Sequence, residues 1–169
     1  MSEWNPWTVK PDAERDRWQF TPLQGVGPLA FGMSKDETAA ALGVRLDDLS
    51  GWDRVGYHVE KIGVKLHFDV DSRLATVASD MRTGPQVTLD GVDLVARVPS
   101  VMERWVEDYV TAKGLPFYYG GNYSPGSPDL GFYLLVQRAG DHLLTRPLMF
   151  NEVVADNSEL IPRIEWSIV

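Results

Sequence analysis

A pattern that occurs twice constrains this chain more than any other feature. Gly25-Val26 stands nine residues before Ser34-x-x-Glu37, a short helical run stops at Gly43, and Gly63-Val64-x-Leu66-x-Phe68 follows. Gly91-Val92 stands nine residues before Ser100-x-x-Glu103, a helical run closes at Gly114, and Gly131-Phe132-x-Leu134-x-Val136 follows. The repeated order of signals predicts two copies of one helix-then-hairpin unit. The expected fold class is α+β: two tandem helix-then-antiparallel-hairpin units form a mainly antiparallel sheet with helices packed on one face, as a single compact domain. Residues 1–22 read as an aromatic N-terminal arm, 23–83 as the first unit and 84–169 as the second.

The local signals fill in this outline. Each Ser-x-x-Glu reads as a capping box, in which the serine hydroxyl accepts from the amide three residues on and the glutamate reaches back to the serine amide. Ala39, Ala40, Ala41 and Leu42 favour helix, and Gly43 supplies a left-handed stop. After Ser100, the spacing of Val101, Met102, Trp105, Val106, Tyr109 and Val110 makes one apolar stripe that places Trp105 in the core, with Glu103, Arg104, Glu107, Asp108 and Lys113 largely outside it.

Ile62, Val64, Leu66, Phe68 and Val70 alternate with Gly63, Lys65, His67 and Asp69, the period of a half-buried strand. Asp71-Ser72-Arg73 is the turn, and residues 74–78 return. Residues 87–89 with Asp90-Gly91 read as a short strand and turn, and 130–138 and 142–150 flank a hairpin tip at Ala139-Gly140-Asp141. Pro147 is expected at an edge or a bulge, because it cannot donate to a ladder. Residues 81–85 are the best join between units, and residues 164–168 alternate as a last strand. In the arm, the Asn5-Pro6 and Lys10-Pro11 steps exclude a long helix, so Trp4, Trp7, Trp18 and Phe20 form either a lid across the core or an exposed strap for a partner.

Composition narrows the function classes. The chain of 169 residues carries 16 Lys and Arg against 24 Asp and Glu, a net charge of −8, which repels phosphate backbones and anionic lipid. Nucleic-acid and membrane binding are disfavoured, while capture of a basic protein is not. With no cysteine there is no disulfide, thiolate nucleophile or sulfur-ligated metal. The N-terminus lacks a signal pattern and no apolar run approaches a membrane span, so a cytoplasmic protein is expected.

No catalytic constellation or cofactor emerges. His67, Asp69 and Asp71 fall at alternate positions near a hairpin tip and form the one polar trio that a site could use, but Lys65 and Arg73 flank it, and Arg73 and Leu74 stand where a calcium loop needs a ligand and a glycine. No metal is expected there. Gly25-Val26-Gly27-Pro28 lacks the glycines and the lysine of a phosphate loop, and Asp36 and Glu37 already occupy the following helix end. There is no Gly-x-Ser-x-Gly elbow, and His58, His67 and His142 have no marked Ser or Asp partner. The most suggestive stretch is residues 117–129, too rich in Gly and Pro for a regular element and too aromatic for an idle loop. Tyr, Ser, Gly and Asn are what protein-binding loops favour, and Tyr118, Tyr119, Asn122, Tyr123 and Asp129 are the partner-binding candidates; packing of these tyrosines back on the sheet is the alternative.

The segment Phe31-Gly32-Met33-Ser34-Lys35-Asp36-Glu37 through Leu42-Gly43 resembles the Gly-Met-Ser/Thr-x-x-Glu … Leu-Gly signature of small helix-plus-sheet domains, seen in BamE-like outer-membrane assembly lipoproteins and in the beta-lactamase inhibitory protein family. The latter is built of two such units whose concave sheet grips a partner protein. Without cysteine the chain has neither the lipidation site of the first family nor the disulfides of the second, so the resemblance implies an architecture and a mode of use: binding a protein on a sheet face. Acidic, cysteine-free chains of this size are also similar to immunity proteins that neutralise bacterial toxins. The expected function is a non-enzymatic protein-binding domain, an immunity or inhibitor protein for a basic toxin or enzyme. The alternative is a small-ligand-binding domain or small enzyme with a pocket between the units, built on His67, Asp69 and Asp71 or on the Tyr118/Tyr119 region.

Overall fold

The computed structural model describes residues 5–45, 50–51 and 56–151. The expected strand at 164–168 and the side chain of Trp4 lie outside them. The strands are β1 (Arg17–Thr21), β2 (Gly25–Val26), β3 (Leu29–Ala30), β4 (Ser50–Gly51), β5 (Gly56–Val59), β6 (Val64–Phe68), β7 (Leu74–Ser79), β8 (Gln86–Leu89), β9 (Val92–Asp93), β10 (Tyr118–Tyr119), β11 (Pro125–Ser127), β12 (Phe132–Ala139) and β13 (His142–Phe150). Helices α1 (Lys35–Leu42) and α2 (Pro99–Ala112) interrupt them. The fold is α+β, with a five-stranded sheet ordered β3-β2-β1-β8-β9 and an eight-stranded sheet ordered β10-β11-β12-β13-β7-β6-β5-β4. Pairing is antiparallel except between β1 and β8, where Trp18 faces Val87. Among the described residues, no helix is long and apolar enough to cross a membrane.

Local chemistry explains most element ends. Ser34 Oγ accepts from the Glu37 amide and Glu37 Oε2 from the Ser34 amide, a complete capping box, and Gly43 ends α1 at φ 66°. In α2 the expected box does not form. Pro99 takes the first helical position, where its missing N–H and fixed φ suit the helix, so Val98 becomes the cap residue and Ser100 lies inside the first turn with no capping bond. The β8–β9 hairpin turns on Asp90-Gly91 with φ of 48° and 79°, the left-handed pair that a two-residue turn requires. The β12–β13 hairpin closes over Gly140-Asp141, with Ala139 opposite His142.

One large core joins both sheets and both helices. Trp18, Phe20, Val26, Val87 and Leu89 of the small sheet meet Leu66, Val77, Phe132, Leu134 and Met149 of the large one, with Ala39 of α1 and Met102, Val106 and Val110 of α2 between them. Trp105 is only partly buried and stacks on Tyr109 with ring centroids 5.0 Å apart. Residues 17–21, read as part of an aromatic arm, are instead the middle strand of the small sheet, with Trp18 and Phe20 inward and Arg17, Gln19 and Thr21 outward. Trp7 lies against the β12–β13 hairpin, where its ring receives Arg138.

The large sheet is buried on both faces where a one-sided strand was expected. Lys65 is buried and His67 partly so, and the same face of the sheet carries a second buried apolar cluster of Ala78, Tyr133, Leu135, Leu148 and Phe150. The first strand of this hairpin stops at Phe68, and Val70 projects into solvent, 98% exposed, where the alternation placed it inside. Pro147 sits in an interior strand opposite Leu134. It is accommodated there because the β13–β7 ladder starts one residue later, at Leu148.

Buried polar groups tie the segments together. Arg15, 5% exposed, donates to the carbonyls of Lys10, Met81 and Gly84. Asp80 accepts from the Arg82 and Thr83 amides and from Gln137 Nε2, while Gln137 Oε1 accepts from the Met81 amide. Gln86, fully buried, donates to the Val95 carbonyl and accepts from the Val95 amide, extending the sheet bonding through a side chain. Arg97 bridges Asp12 and Asp93, and Arg17 also pairs with Asp93.

Candidate functional site

The stretch expected to be an irregular loop forms the edge of the eight-stranded sheet. Tyr118 pairs with Gly126 and Tyr119 with Pro125, one turn of 3-10 helix (Gly121–Tyr123) links the two strands, and a second (Pro128–Leu130) leads into β12. Neighbouring residues on a strand point to opposite faces, so Tyr118 and Tyr119 diverge. They are 48% and 51% exposed. Tyr119 turns toward α2, where its hydroxyl donates to Glu103 Oε1 at 2.6 Å and its ring meets Phe117 edge-on. That hydrogen bond, together with the negative charge of Glu103 and Glu107, holds the Tyr119 phenol above its ordinary pKa.

Tyr123 is the unusual member. It is 87% exposed and its φ is +58°, a left-handed backbone that a bulky residue rarely adopts. Such conformations cost on the order of 1–3 kcal/mol and gather at functional sites. Its side chain forms one wall of a shallow cleft of about 100 Å³, completed by Pro99 and Glu103 of α2, Ser124 and Pro125, Leu134 and Val136 of β12, and Thr145 of β13. Val136, which lines the cleft, is 49% exposed, so apolar surface reaches solvent there; Val98 and Val101 at the start of α2 are also exposed, at 54% and 64%. The cleft lies where the helix start, the 3-10 turn and the β12–β13 hairpin converge.

Of the partner-binding candidates, the fold thus gathers Tyr119 and Tyr123 around Glu103, while Tyr118 lies on the other face of β10. Asp129 is exposed in the later 3-10 turn. Asn122 lies in the turn before Tyr123, and its side chain is outside the described residues. Residues far away in sequence complete the surface. Pro99, Glu103, Val136 and Thr145 carry no motif as a set, but Glu103 was legible as a residue with a purpose: assigned to a capping box, it is released from that role by Pro99 and meets Tyr119 instead.

The polar trio does not assemble as a strand-face site. Only His67 belongs to β6, with a register shift directly after it, opposite Gly56 and Thr76. Asp69 serves its own turn, its Oδ1 accepting from the amides of Asp71 and Arg73 at 2.9 and 3.0 Å, and Asp71 stands exposed at the tip. Among the described residues, no three His, Asp or Glu side chains are grouped to hold a metal ion.

Comparison of the chain with protein-family models, with curated proteins and with solved structures found no match. The resemblance of residues 31–43 to helix-plus-sheet domains therefore stands on those residues alone.

Proposed function

We propose that this chain is a non-enzymatic protein-binding domain of the inhibitor or immunity type, which captures a basic toxin or enzyme through the surface around Tyr119, Tyr123 and the start of α2. One observation carries the reading: exposed side chains from three separate segments, Tyr119, Tyr123 and Val136, meet at a single carboxylate, Glu103. Aromatic anchors beside a charge in a contiguous apolar surface are the makings of an interface centre. The acidic net charge of −8 favours association with a basic partner. A cleft of about 100 Å³ is small beside the ~300–1,000 Å³ of typical small-molecule sites, which favours a protein partner over an enclosed ligand.

The strand order supports reading the scaffold as two copies of one unit. Counting inward from either edge of the large sheet, β4-β5-β6-β7 and β10-β11-β12-β13 follow in the same order, each group preceded in sequence by its helix, and they meet where β7 pairs with β13. Interfaces built this way are expected at the ends of the sheet, where each helix meets its own outer strands.

The test is capture from the native lysate with wild type, Tyr123→Ala, Tyr119→Ala and Tyr118→Ala, at low and high salt, followed by identification of the captured protein. Truncating an anchor at an interface centre costs about 2 kcal/mol, roughly thirtyfold in affinity. The expected result is a basic protein lost with Tyr123→Ala and Tyr119→Ala and weakened by salt. Equal recovery by all variants removes this surface from the interface, and an acidic partner or none counts against the reading itself.

A further inference from the structure

Glu103 differs from the other partly buried acids of this fold. Asp12 and Asp93 are paired with Arg97, Asp69 accepts from two amides of its own turn, and the more deeply buried Asp80 is held by Gln137 and two amides. Glu103 is half-buried, its Oε1 is fixed by Tyr119, and among the described residues no cation pairs with it. Among the described residues it is also the only charged one lining the cleft, whose other walls are Tyr123, two prolines, Leu134, Val136 and the hydroxyl-bearing Ser124 and Thr145. Thr145 Oγ1 is already committed, donating to the Leu94 carbonyl and accepting from the Arg97 amide. A half-buried carboxylate beside apolar and aromatic walls matches one class of chemical group: a cation at the end of an aliphatic stem.

Resting on the interface reading above, we propose that the cleft is a specificity pocket for one lysine or arginine side chain of the partner protein, its stem over Leu134, Val136 and Pro125 and its cation against the Glu103 carboxylate and the Tyr123 ring. Tyr119 is a positioning residue, holding one carboxylate oxygen so that the other stays available. The backbone at Tyr123 keeps the ring at the mouth before any partner arrives, which lowers the ordering cost of binding.

The test uses the full chain and defined probes. Amide chemical shifts are followed while N-acetyl-arginine methylamide, N-acetyl-lysine methylamide, the uncharged N-acetyl-norleucine methylamide and inorganic phosphate are titrated in turn. Saturable shifts at Glu103, Tyr123, Ser124 and Thr145 are expected for the two cations, with dissociation constants on the order of millimolar, and none for norleucine. Glu103→Gln preserves the acceptor for Tyr119 while removing the charge, and should weaken cation binding at least tenfold with an unchanged spectrum elsewhere. Tyr123→Ala should weaken it severalfold. Absence of saturable shifts, equal binding of norleucine, indifference to Glu103→Gln, or shifts with phosphate alone would each overturn the proposal. If the titration fails while partner capture still depends on Tyr119 and Tyr123, only the pocket is lost. Cation binding with capture unaffected by those tyrosines would leave the pocket standing and remove the interface reading.

Discussion

Replacing Arg15 with Met tests whether a single buried guanidinium holds the N-terminal segment onto the body of the fold. Methionine keeps most of the aliphatic volume and removes the donors. In the native chain those donors serve three backbone carbonyls, of Lys10, Met81 and Gly84. Met81 and Gly84 are buried, so two acceptors lose their partners with no water to replace them, whereas Lys10 is only partly buried. An orphaned buried acceptor costs about 1–3 kcal/mol, more when the lost donor was charged. The accompanying contact with Asp12, whose side chain is 40% exposed, adds little. The relief of guanidinium desolvation offsets part of the loss, leaving about 3–5 kcal/mol of destabilisation. With a urea m-value of about 2 kcal/mol/M, the midpoint should fall by roughly 1.5–2.5 M, read by tryptophan fluorescence with Trp18 in the core as one reporter. A shift below about 0.5 M would show that the carbonyls around Arg15 find other donors, and would refute the claim that this residue clamps residues 10 and 81–84 together.

Three further outcomes follow from the same kind of reasoning. Ser34→Ala should cost about 1 kcal/mol and Ser100→Ala almost nothing, because only the first serine caps its helix, and paired denaturation curves with equal losses would contradict the assigned start of α2. Asp80 is pushed up by burial but held below the ordinary carboxylate range by Gln137 and the Arg82 and Thr83 amides, so its contribution is full above about pH 4 and is lost as pH falls through its lower folded value. Asp80→Asn sets an amide against Gln137, which cannot flip without abandoning the Met81 amide; the variant should be about 2 kcal/mol less stable at pH 7, a gap that narrows toward pH 2, and a pH-independent gap would refute the assignment. Gly131→Ala should destabilise far more than Gly91→Ala: both have positive φ, but a Cβ at 131 would lie 2.3 Å from the Phe150 carbonyl oxygen and one at 91 meets open space, and equal melting temperatures would show that strand entry relaxes freely.

How far this architecture could be seen in advance depended on whether a signal was local. The Ser34 box, the Gly43 stop, the β12–β13 hairpin and the Met102, Val106 and Val110 half of the α2 stripe are each written in a few consecutive residues and are present in the structure, whereas Val101, expected in that stripe, is 64% exposed. The Ser100 error is instructive because the motif was identical; the residue before it decided the matter, since Pro99 suits the first helical position and Met33 does not occupy one. Alternation predicts a polar outer face for β6, but alternation reports only that two faces differ, and most of the apolar residues that share the Lys65 face come from β12 and β13, more than sixty residues on. The strand at the end of the aromatic arm is hidden for the same reason: nothing near Arg17–Thr21 announces that its partner is Gln86–Leu89, although the packing of Trp18 and Phe20 on the core is among the readings their aromatic character allows.

The candidate surface follows this rule too. Composition singled out Tyr119 and Tyr123, which are close in sequence, and had no way to bring in Glu103, Val136 or Thr145, which reach the same cleft from a helix and two strands. Glu103 shows how a local assignment can hide a long-range one. Read as half of a capping box, its charge is spent; with Pro99 opening α2, the Ser100 amide no longer calls on it, and the carboxylate is left half-buried beside an exposed tyrosine in a strained backbone. Within the fold Glu103 serves only as the acceptor that ties Tyr119 of β10 to α2, which occupies one of its two oxygens. A strained, exposed aromatic lowers stability, and its place in one cleft with a carboxylate that no cation pairs with among the described residues is better explained by what the cleft binds than by what it supports.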